Sequence, residues 1–505
     1  MINNIINNIA NELKVLADNA ISNDAIINVL NAKFTHLFSF KGITFNSINN
    51  LKKAYPLAYY GLNFVGSGGD KNKTLSEINY TLLPFFKDEY IKINEKYKEQ
   101  KLIEFKKDNE FKLLTPTEIK KQQIKEEYII NNLSRLKHII NKTTPAKLYK
   151  NAEVIKIMKY GSIFIQNTEF AQLFETAMSN QLTSEKEILD LLFDFFDGEL
   201  NIPDTVSTDR DIMEGIAFSL IFMSDFTLIL NNSKLNKAFK SWLARGGARR
   251  IFIFINKEEN YFKNPVQFSN FEDRNTAYSL LENYNKILKT KFDNIPVGNN
   301  YIFSSSANEV IQNWKIECNE TILNLCKNID FLDLDLDILT KDLKGSPWKI
   351  IKLAVTYHIL NSNEHSSLIQ PESVKQAIEY YKKSYKSLES LLNKKPNSDI
   401  DNCFNFFQKN INVWQPKMIL RAQNFTDSQK FTDWIKNNIN YIREMAQKKG
   451  YGFVEKPLGS IGSQYVLYDP QRYKFESTVT DGCSIEKGEL IDLGYIPKLV
   501  RIEEL

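Results

Sequence analysis

Two patterns of apolar and polar positions alternate along the first half of this 505-residue chain. Short unbroken apolar runs closed by turn residues give way to longer stretches with an apolar side chain every three or four positions. The first pattern suits strands buried on both faces, and the second suits helices with one buried face. The runs at Leu57–Val65, at 161–166 (GSIFIQ), at Ile216–Ser224 and at Ile251–Ile255 read as four strands. Helical spacing follows them, first at Leu75, Ile78, Leu82 and Leu83, then from Phe170, across 184–196 and across 234–243. Pro145, early in the segment that opens at Thr143, marks a further helix start. Strands separated by helices predict an α/β core with a largely parallel sheet.

The rest of the chain is patterned differently. Residues 1–50 read as short helices, so residues 1–54 form a helical N-terminal region. Residues 86–141 are dense in Lys and Glu at helical spacing, interrupted near Leu114-Thr115-Pro116, and read as two long solvated helices inserted into a core at 55–265. Residues 266–395 are mostly helical, and Lys394 to Ser398 read as a linker. Residues 400–470 read as helices followed by a hairpin, GYGFVEKP and QYVLYD around LGSIGS, and 471–505 as a weakly patterned tail.

Composition narrows the function classes. With 34 Phe and 23 Tyr, the chain is too apolar to be disordered throughout. A net charge of +4 gives no global pull on nucleic acid, so such a role needs local basic patches. The four cysteines form no CxxC and the four histidines no ligand spacing, so neither a zinc site nor a disulfide framework is expected. The N-terminus lacks a basic segment before a long apolar run, and no apolar stretch reaches the roughly 18 residues that span a bilayer. A reducing cytoplasm, that of a bacterial host, is the expected compartment and no membrane is expected as partner.

Candidate chemistry gathers at strand ends. Gly66, Ser67, Gly68 and Gly69 leave the first strand, and Lys71, Lys73 and Thr74 open the helix after it. Glycines let a loop turn its N–H groups toward phosphate oxygens, a lysine meets the β- and γ-phosphates, and a hydroxyl holds Mg²⁺. The match to GxxxxGK[ST] is partial, because Asp70 precedes Lys71 and Asn72 follows it. Register on Lys73-Thr74 restores the hydroxyl but loses the glycines, so both lysines stay candidates. Glu169, at the end of the second strand, is placed as the carboxylate that orients an attacking water, with Asn167 and Thr168 where an Asp is expected. The third strand ends at Ser224-Asp225, polar enough to sense a γ-phosphate. Arg245, Arg249 and Arg250 lie beside two glycines before the fourth strand. Arg249 and Arg250 are the candidates to stabilise transition-state charge in a neighbouring subunit, and contact with DNA phosphates is the other use of such a turn. In 400–470, Lys436, Arg443, Lys448, Lys449 and Lys456 would serve DNA phosphates from a winged helix, with little sequence reading.

Taken in order, NFVGSGGDKNKT, TTPAKLYKNAEV, GSIFIQNTEFAQLF, LLFDFFDGEL, IAFSLIFMSD and LARGGARRIFIF resemble the ATPase domain of phage and mobile-element primase/helicase-like proteins, related to RecA-like and AAA+ helicases. The resemblance spans about residues 55–390. It sets Lys71 at the family's phosphate lysine, Glu169 at its catalytic Glu and Thr168 at its Asp, and it likens the segment around Pro347–Ala354 to the family's helical lid. It implies a RecA/AAA+-like P-loop core with helical N-terminal and lid regions and a C-terminal winged helix. It also implies ATP and Mg²⁺ as ligands, DNA as partner, and a homo-oligomer such as a hexameric ring that moves on DNA during replication. Asp70 and Thr168 depart from the family pattern. The alternatives are therefore a helicase-fold scaffold that has lost turnover, or a DNA-binding accessory protein whose winged helix carries the function.

Overall fold

A computed structural model gives the fold. Within 1–256 it describes all residues except 1–4, 19–20, 48–49, 66–70, 108–114, 116, 122, 125–135, 180–183, 198, 201–212, 226–228 and 230–232. Beyond that, residues 257–268, 327–333, 363–365, 393–403, 405, 409, 414, 417–438, 440–441, 444–445, 448, 458–462, 472, 476–498 and 502–505 lie outside the description. The chain divides into two compact units, Met1–Lys394 and Lys395–Leu505.

The larger unit opens with α1 (Ile5–Leu16) and α2 (Asn23–Ser39), then β1 (Thr44–Ser47), β2 (Asn50–Pro56) and β3 (Ala58–Phe64). Next come α3 (Lys71–Glu77), which runs into a π-turn at Ile78–Leu82, α4 (Phe86–Lys107), α5 (Pro145–Met158) and β4 (Ile163–Asn167). They are followed by α6 (Phe170–Ser179), α7 (Ser184–Asp197), β5 (Phe218–Ser224), α8 (Ser233–Trp242), a second π-turn at Leu243–Gly247 and β6 (Ile251–Ile255). The unit ends with α9 (Phe271–Asn294), β7 (Asn300–Phe303), α10 (Ser305–Cys326), α11 (Leu334–Asn361), β8 (Leu368–Ile369) and α12 (Pro371–Leu392).

The four expected strands form one parallel sheet in the order β4-β5-β3-β6. Ile140 adds a parallel bridge to Ile165 on the outer side of β4. Every residue of β3 and β5 is buried, as strands covered by helices on both faces must be. The side chains of β3 alternate between two layers. Tyr60 and Phe64 meet aromatic rings of the layer that holds α7 and α8, with Tyr60 4.9 Å from Phe196 and Phe64 5.8 Å from Phe239. Tyr59 and Asn63 reach the other layer, where α2 packs. Asn28 of α2 accepts from the Tyr59 hydroxyl at 2.5 Å and donates to Asn63 Oδ1 at 2.7 Å, while Asn63 donates to the Ala25 carbonyl at 2.9 Å. Gly61 permits this approach, because a Cβ there would stand 2.9 Å from Asn28 Oδ1 and 2.7 Å from Ile221. A buried amide left without its partner costs about 1–3 kcal/mol. Asn63→Ala is therefore expected to lower unfolding stability by that amount. An unchanged urea midpoint would show that the network contributes nothing.

Three elements differ from the sequence expectation. The N-terminal region is not wholly helical: β1 and β2 pair antiparallel and join β7 and β8 in a second sheet, order β8-β7-β1-β2. Residues 266–395, expected as a helical lid, supply β7 and β8 to that sheet, and α12 lies against β6, where Ser384 Oγ accepts from the Ile253 N–H at 2.9 Å. The charged helix α4 is not solvated all round, since Phe86, Tyr90, Ile93 and Tyr97 are buried at helical spacing. The second expected helix of that insertion is described only at 117–121 and 123–124.

The smaller unit has its own apolar cluster, in which Phe404, Phe407, Ile442, Tyr465 and Leu467 are buried. Its strands β9 (Gln415–Pro416), β10 (Gly452–Pro457) and β11 (Ser463–Tyr468) form an antiparallel sheet of order β9-β11-β10. The expected hairpin is the β10–β11 pair. In the tail, β12 (Tyr473–Phe475) pairs with β13 (Leu499–Arg501). The chain is thus an α/β protein with a parallel sheet. Among the described residues no helix is long and apolar enough to cross a membrane.

Candidate functional site

The four strands of the parallel sheet share one carboxyl edge, where Ser224 ends β5 and Glu169 follows β4. In open parallel α/β sheets ligands bind outside the carboxyl ends of the strands, because the loops there can diverge without breaking the ladder. Pairing runs to the end of β3: Val65 donates to the Ser224 carbonyl at 2.9 Å, and Asn256 donates to the Phe64 carbonyl at 2.8 Å. The ends of β3, β5 and β6 are therefore level. The last described residue after β3, Val65, thus has Ser224 on one side, and Phe64 has Asn256 on the other. Gly66, Ser67, Gly68, Gly69 and Asp70 fall outside the described residues, so the loop itself is not described.

The two candidate lysines are treated differently by the fold. Lys73 is held by Asp18, just past the end of α1, at 3.2 Å. Asp18 is buried, and Arg274 and the Ser269 N–H also bind its carboxylate. Burial pushes that carboxyl up, but the bonds from Arg274, Lys73 and Ser269 outweigh it and hold the group below its usual range. Lys71 is half-buried at the start of α3 and pairs with no described residue. Thr74 is buried, and its hydroxyl has no hydrogen-bond partner among the described residues. A buried hydroxyl without a partner is uncommon and calls for an explanation such as a bound ion or water.

Glu169 is exposed one residue before α6. Its backbone does the capping: its carbonyl accepts from Gln172 and Leu173, each at 3.1 Å, and its N–H donates to Asn167 Oδ1 at 2.7 Å. Asn167 is buried, so the side chain standing near the expected Asp position fixes the turn that presents Glu169. The Glu169 carboxylate makes no pair with a described residue. β5 lies between β4 and β3, so Glu169 follows the same carboxyl edge at which Ser224 and Val65 stand.

The arginines lie at the opposite edge, ahead of β6. Arg250 is engaged with neighbouring groups of the fold. It pairs with Asp197 at the end of α7 at 2.5 Å, donates to the Gly246 carbonyl at 3.2 Å and lies 5.1 Å from the Phe193 ring. These contacts tie the π-turn to α7. Arg245 and Arg249 are exposed, and neither pairs with a described residue. The sequence carried no sign of Asp18 or Asp197 as partners, because they lie 55 and 53 positions from Lys73 and Arg250.

In the smaller unit Arg443 and Lys449 are exposed, and the Lys449 ammonium stands 4.6 Å from the Phe404 ring centre. Lys436 and Lys448 lie outside the described residues. Lys456 is on β10, but its side chain is not described. Among the described residues no group of three or more His, Cys, Asp or Glu is arranged to hold a metal ion. No protein-family model matches the chain, and no curated protein matches it.

Proposed function

We propose that the chain is an ATP-driven, helicase-like protein acting on DNA, of the kind used in phage or mobile-element replication. The observation that carries this reading is the strand order β4-β5-β3-β6. It brings the carboxyl end of β3 at Val65, the polar end of β5 at Ser224 and the end of β4 ahead of Glu169 along one edge of a parallel sheet, which supports a phosphate site following β3. ATP would lie against the loop after β3 with Lys71 on its phosphates, since Lys73 is committed to Asp18. The Thr74 hydroxyl, without a hydrogen-bond partner among the described residues, fits a ligand of Mg²⁺, whose part when bound is to neutralise phosphate charge. Glu169 would accept a hydrogen bond from the water that attacks the terminal phosphorus, orienting it in line with the bond that breaks. Arg249, exposed at the other edge, suits the arginine that reaches a neighbouring copy in a ring, with Arg250 and Asp197 as its anchor. The smaller unit, with its β10–β11 hairpin, suits a winged helix whose Arg443 and Lys449 meet phosphates.

A second reading is supported by Thr168, which stands where the metal's Asp is expected: a scaffold with this fold and no turnover. Steady-state ATP hydrolysis, with and without single-stranded DNA, separates the two. Glu169→Gln and Lys71→Ala are expected to abolish turnover, while Lys73→Ala keeps the chemistry but lowers thermal stability. Loss of turnover in Lys73→Ala with full activity in Lys71→Ala would reverse the lysine assignment. Absence of hydrolysis and of ATP binding in the unaltered protein would sink the motor.

A further inference from the structure

The carboxyl end of α11 meets the last turns of α9 around a cavity of about 350 Å³. Its walls include Lys286, Thr290 and Lys291 of α9, Tyr301 of β7, and His358 and Ile359 of α11. Carbonyls in the last turn of a helix lack an intrahelical donor, so a cation is a favourable partner there. Lys291 fills that place: its ammonium donates to the Ser362 carbonyl at 2.6 Å and to the Ile359 carbonyl at 3.5 Å. The side chain is half-buried, and burial lowers its pKa below the usual lysine value. Lys73, Lys240 and Arg250 are likewise half-buried, and each pairs with an Asp. Lys291 pairs with no carboxylate among the described residues; its two partners are carbonyls. Lys286 stands on the same wall, exposed, and its ammonium pairs with no described residue. Among the described residues that line the cavity there is no Asp or Glu. His358 adds no charge at neutral pH, because burial lowers it and its Nε2–H donates to the Ser366 carbonyl at 2.7 Å.

We propose that this cavity binds a small phosphate monoester, with the phosphate against Lys286 and Lys291 and the body of the molecule against Tyr301 and Ile359. A charge withdrawn from water is costly without a counter-charge, and an anion in the cavity supplies the one that Lys291 lacks. An ammonium has three N–H donors, so Lys291 keeps one for the phosphate beside its two carbonyls. Charge selects the class of anion. A phosphate monoester carries about −1.5 to −2 at neutral pH, which matches two ammonium groups, whereas a single carboxylate matches one. The cavity lies near the lower end of the roughly 300–1,000 Å³ of small-molecule sites, which suits a molecule the size of a sugar phosphate. None of its lining residues belongs to the parallel sheet, so the site is separate from the one proposed for ATP and needs neither ATP nor DNA.

The test is isothermal titration calorimetry of the full chain with ribose 5-phosphate, beside Lys286→Gln, Lys291→Met and Lys71→Ala. Ribose and succinate are titrated as controls, and melting curves of each variant are recorded. The sugar phosphate is expected to bind and ribose not to. Loss of one charge-assisted bond is expected to weaken binding about tenfold in Lys286→Gln and on the order of 100-fold in Lys291→Met. Lys286 is exposed, so its variant remains informative if Lys291→Met does not fold. Lys71→Ala is expected to bind as the parent does. Loss of binding in Lys71→Ala with full binding in Lys286→Gln would move the phosphate to the loop after β3, which overturns this site and leaves the ATP reading standing. Succinate binding as tightly as ribose 5-phosphate overturns the choice of phosphate. No binding of ribose 5-phosphate by the unaltered chain, or undiminished binding in Lys286→Gln, overturns the site itself.

Discussion

Asp342→Ala is expected to destabilise the larger unit by about 3–5 kcal/mol, the range found when one member of a buried ion pair is removed. Lys349 is fully buried on α11 and reaches three oxygens: Asp342 Oδ1 at 2.5 Å, the Ala248 carbonyl at 3.1 Å and the Ile251 carbonyl at 3.2 Å. The second oxygen of Asp342 accepts from the Tyr381 hydroxyl of α12. The pair therefore joins two helices to the π-turn and to the first residue of β6. Burial pushes the Asp342 carboxyl up and the Lys349 ammonium down, and their mutual attraction opposes both displacements. Without Asp342 the ammonium keeps two carbonyls and loses its counter-charge. Replacing both groups, as in Asp342→Leu with Lys349→Met, removes the desolvated charge as well and is expected to recover much of the loss. Urea denaturation of the three proteins checks this. A single variant as stable as the parent would mean that the pair contributes nothing, and a double variant worse than the single would mean that packing outweighs charge.

Stability is expected to rise with pH from about 5 to about 9, because the interior holds several bases that burial keeps neutral. Lys33 and Lys352 are fully buried, and burial lowers each from 10.5 to about 7. Lys33 donates to Asn79 at 2.8 Å, and Lys352 donates to the Phe196 carbonyl. Among the described residues neither has a carboxylate bonded to it. Between pH 7 and 10.5 the unfolded chain holds these two protons and the folded chain does not, so stability increases with pH across that window. Below pH 7 both states are protonated, and the cost of burying the charges is fully present. Histidine extends the trend downward. Burial lowers His138 to about 3 and His36 well below 6.5, so stability falls as pH drops from 6.5 toward 3. Above pH 10 the sign reverses, since burial raises Tyr59, Tyr60 and Tyr380, which ionise first in the unfolded chain. Each unit of displacement corresponds to about 1.4 kcal/mol. Denaturant midpoints are therefore expected in the order pH 9, pH 7, pH 5, and Lys33→Met with Lys352→Met should flatten the upper limb. A profile that is level, or that falls from pH 7 to 9, would contradict the buried neutral lysines.

By itself the sequence determined the parallel core. β3, β4, β5 and β6 are apolar runs closed by Gly, Asn, Ser or Asp, and that signal is local because each such strand is buried on both faces. The α5 start at Pro145 and the β10–β11 hairpin were legible for the same reason: backbone and turn chemistry act over a few residues. Glu169 was placed at a strand end from that pattern, though the part of Asn167 in presenting it was not. Tertiary structure alone decided the rest. β2 reads Asn-Leu-Lys-Lys-Ala-Tyr-Pro, too charged to announce a strand, and β1 beside it pairs with β7 about 250 residues later. Whether Lys71 or Lys73 is free depended on Asp18, and whether Arg249 or Arg250 is free depended on Asp197. The packing of the Trp348 ring depended on Tyr55 and Phe45, about 300 residues earlier in the chain. Hydrophobic periodicity reports which face of an element is buried. Which charge meets which is set by packing between distant elements, and a one-dimensional pattern carries no record of that.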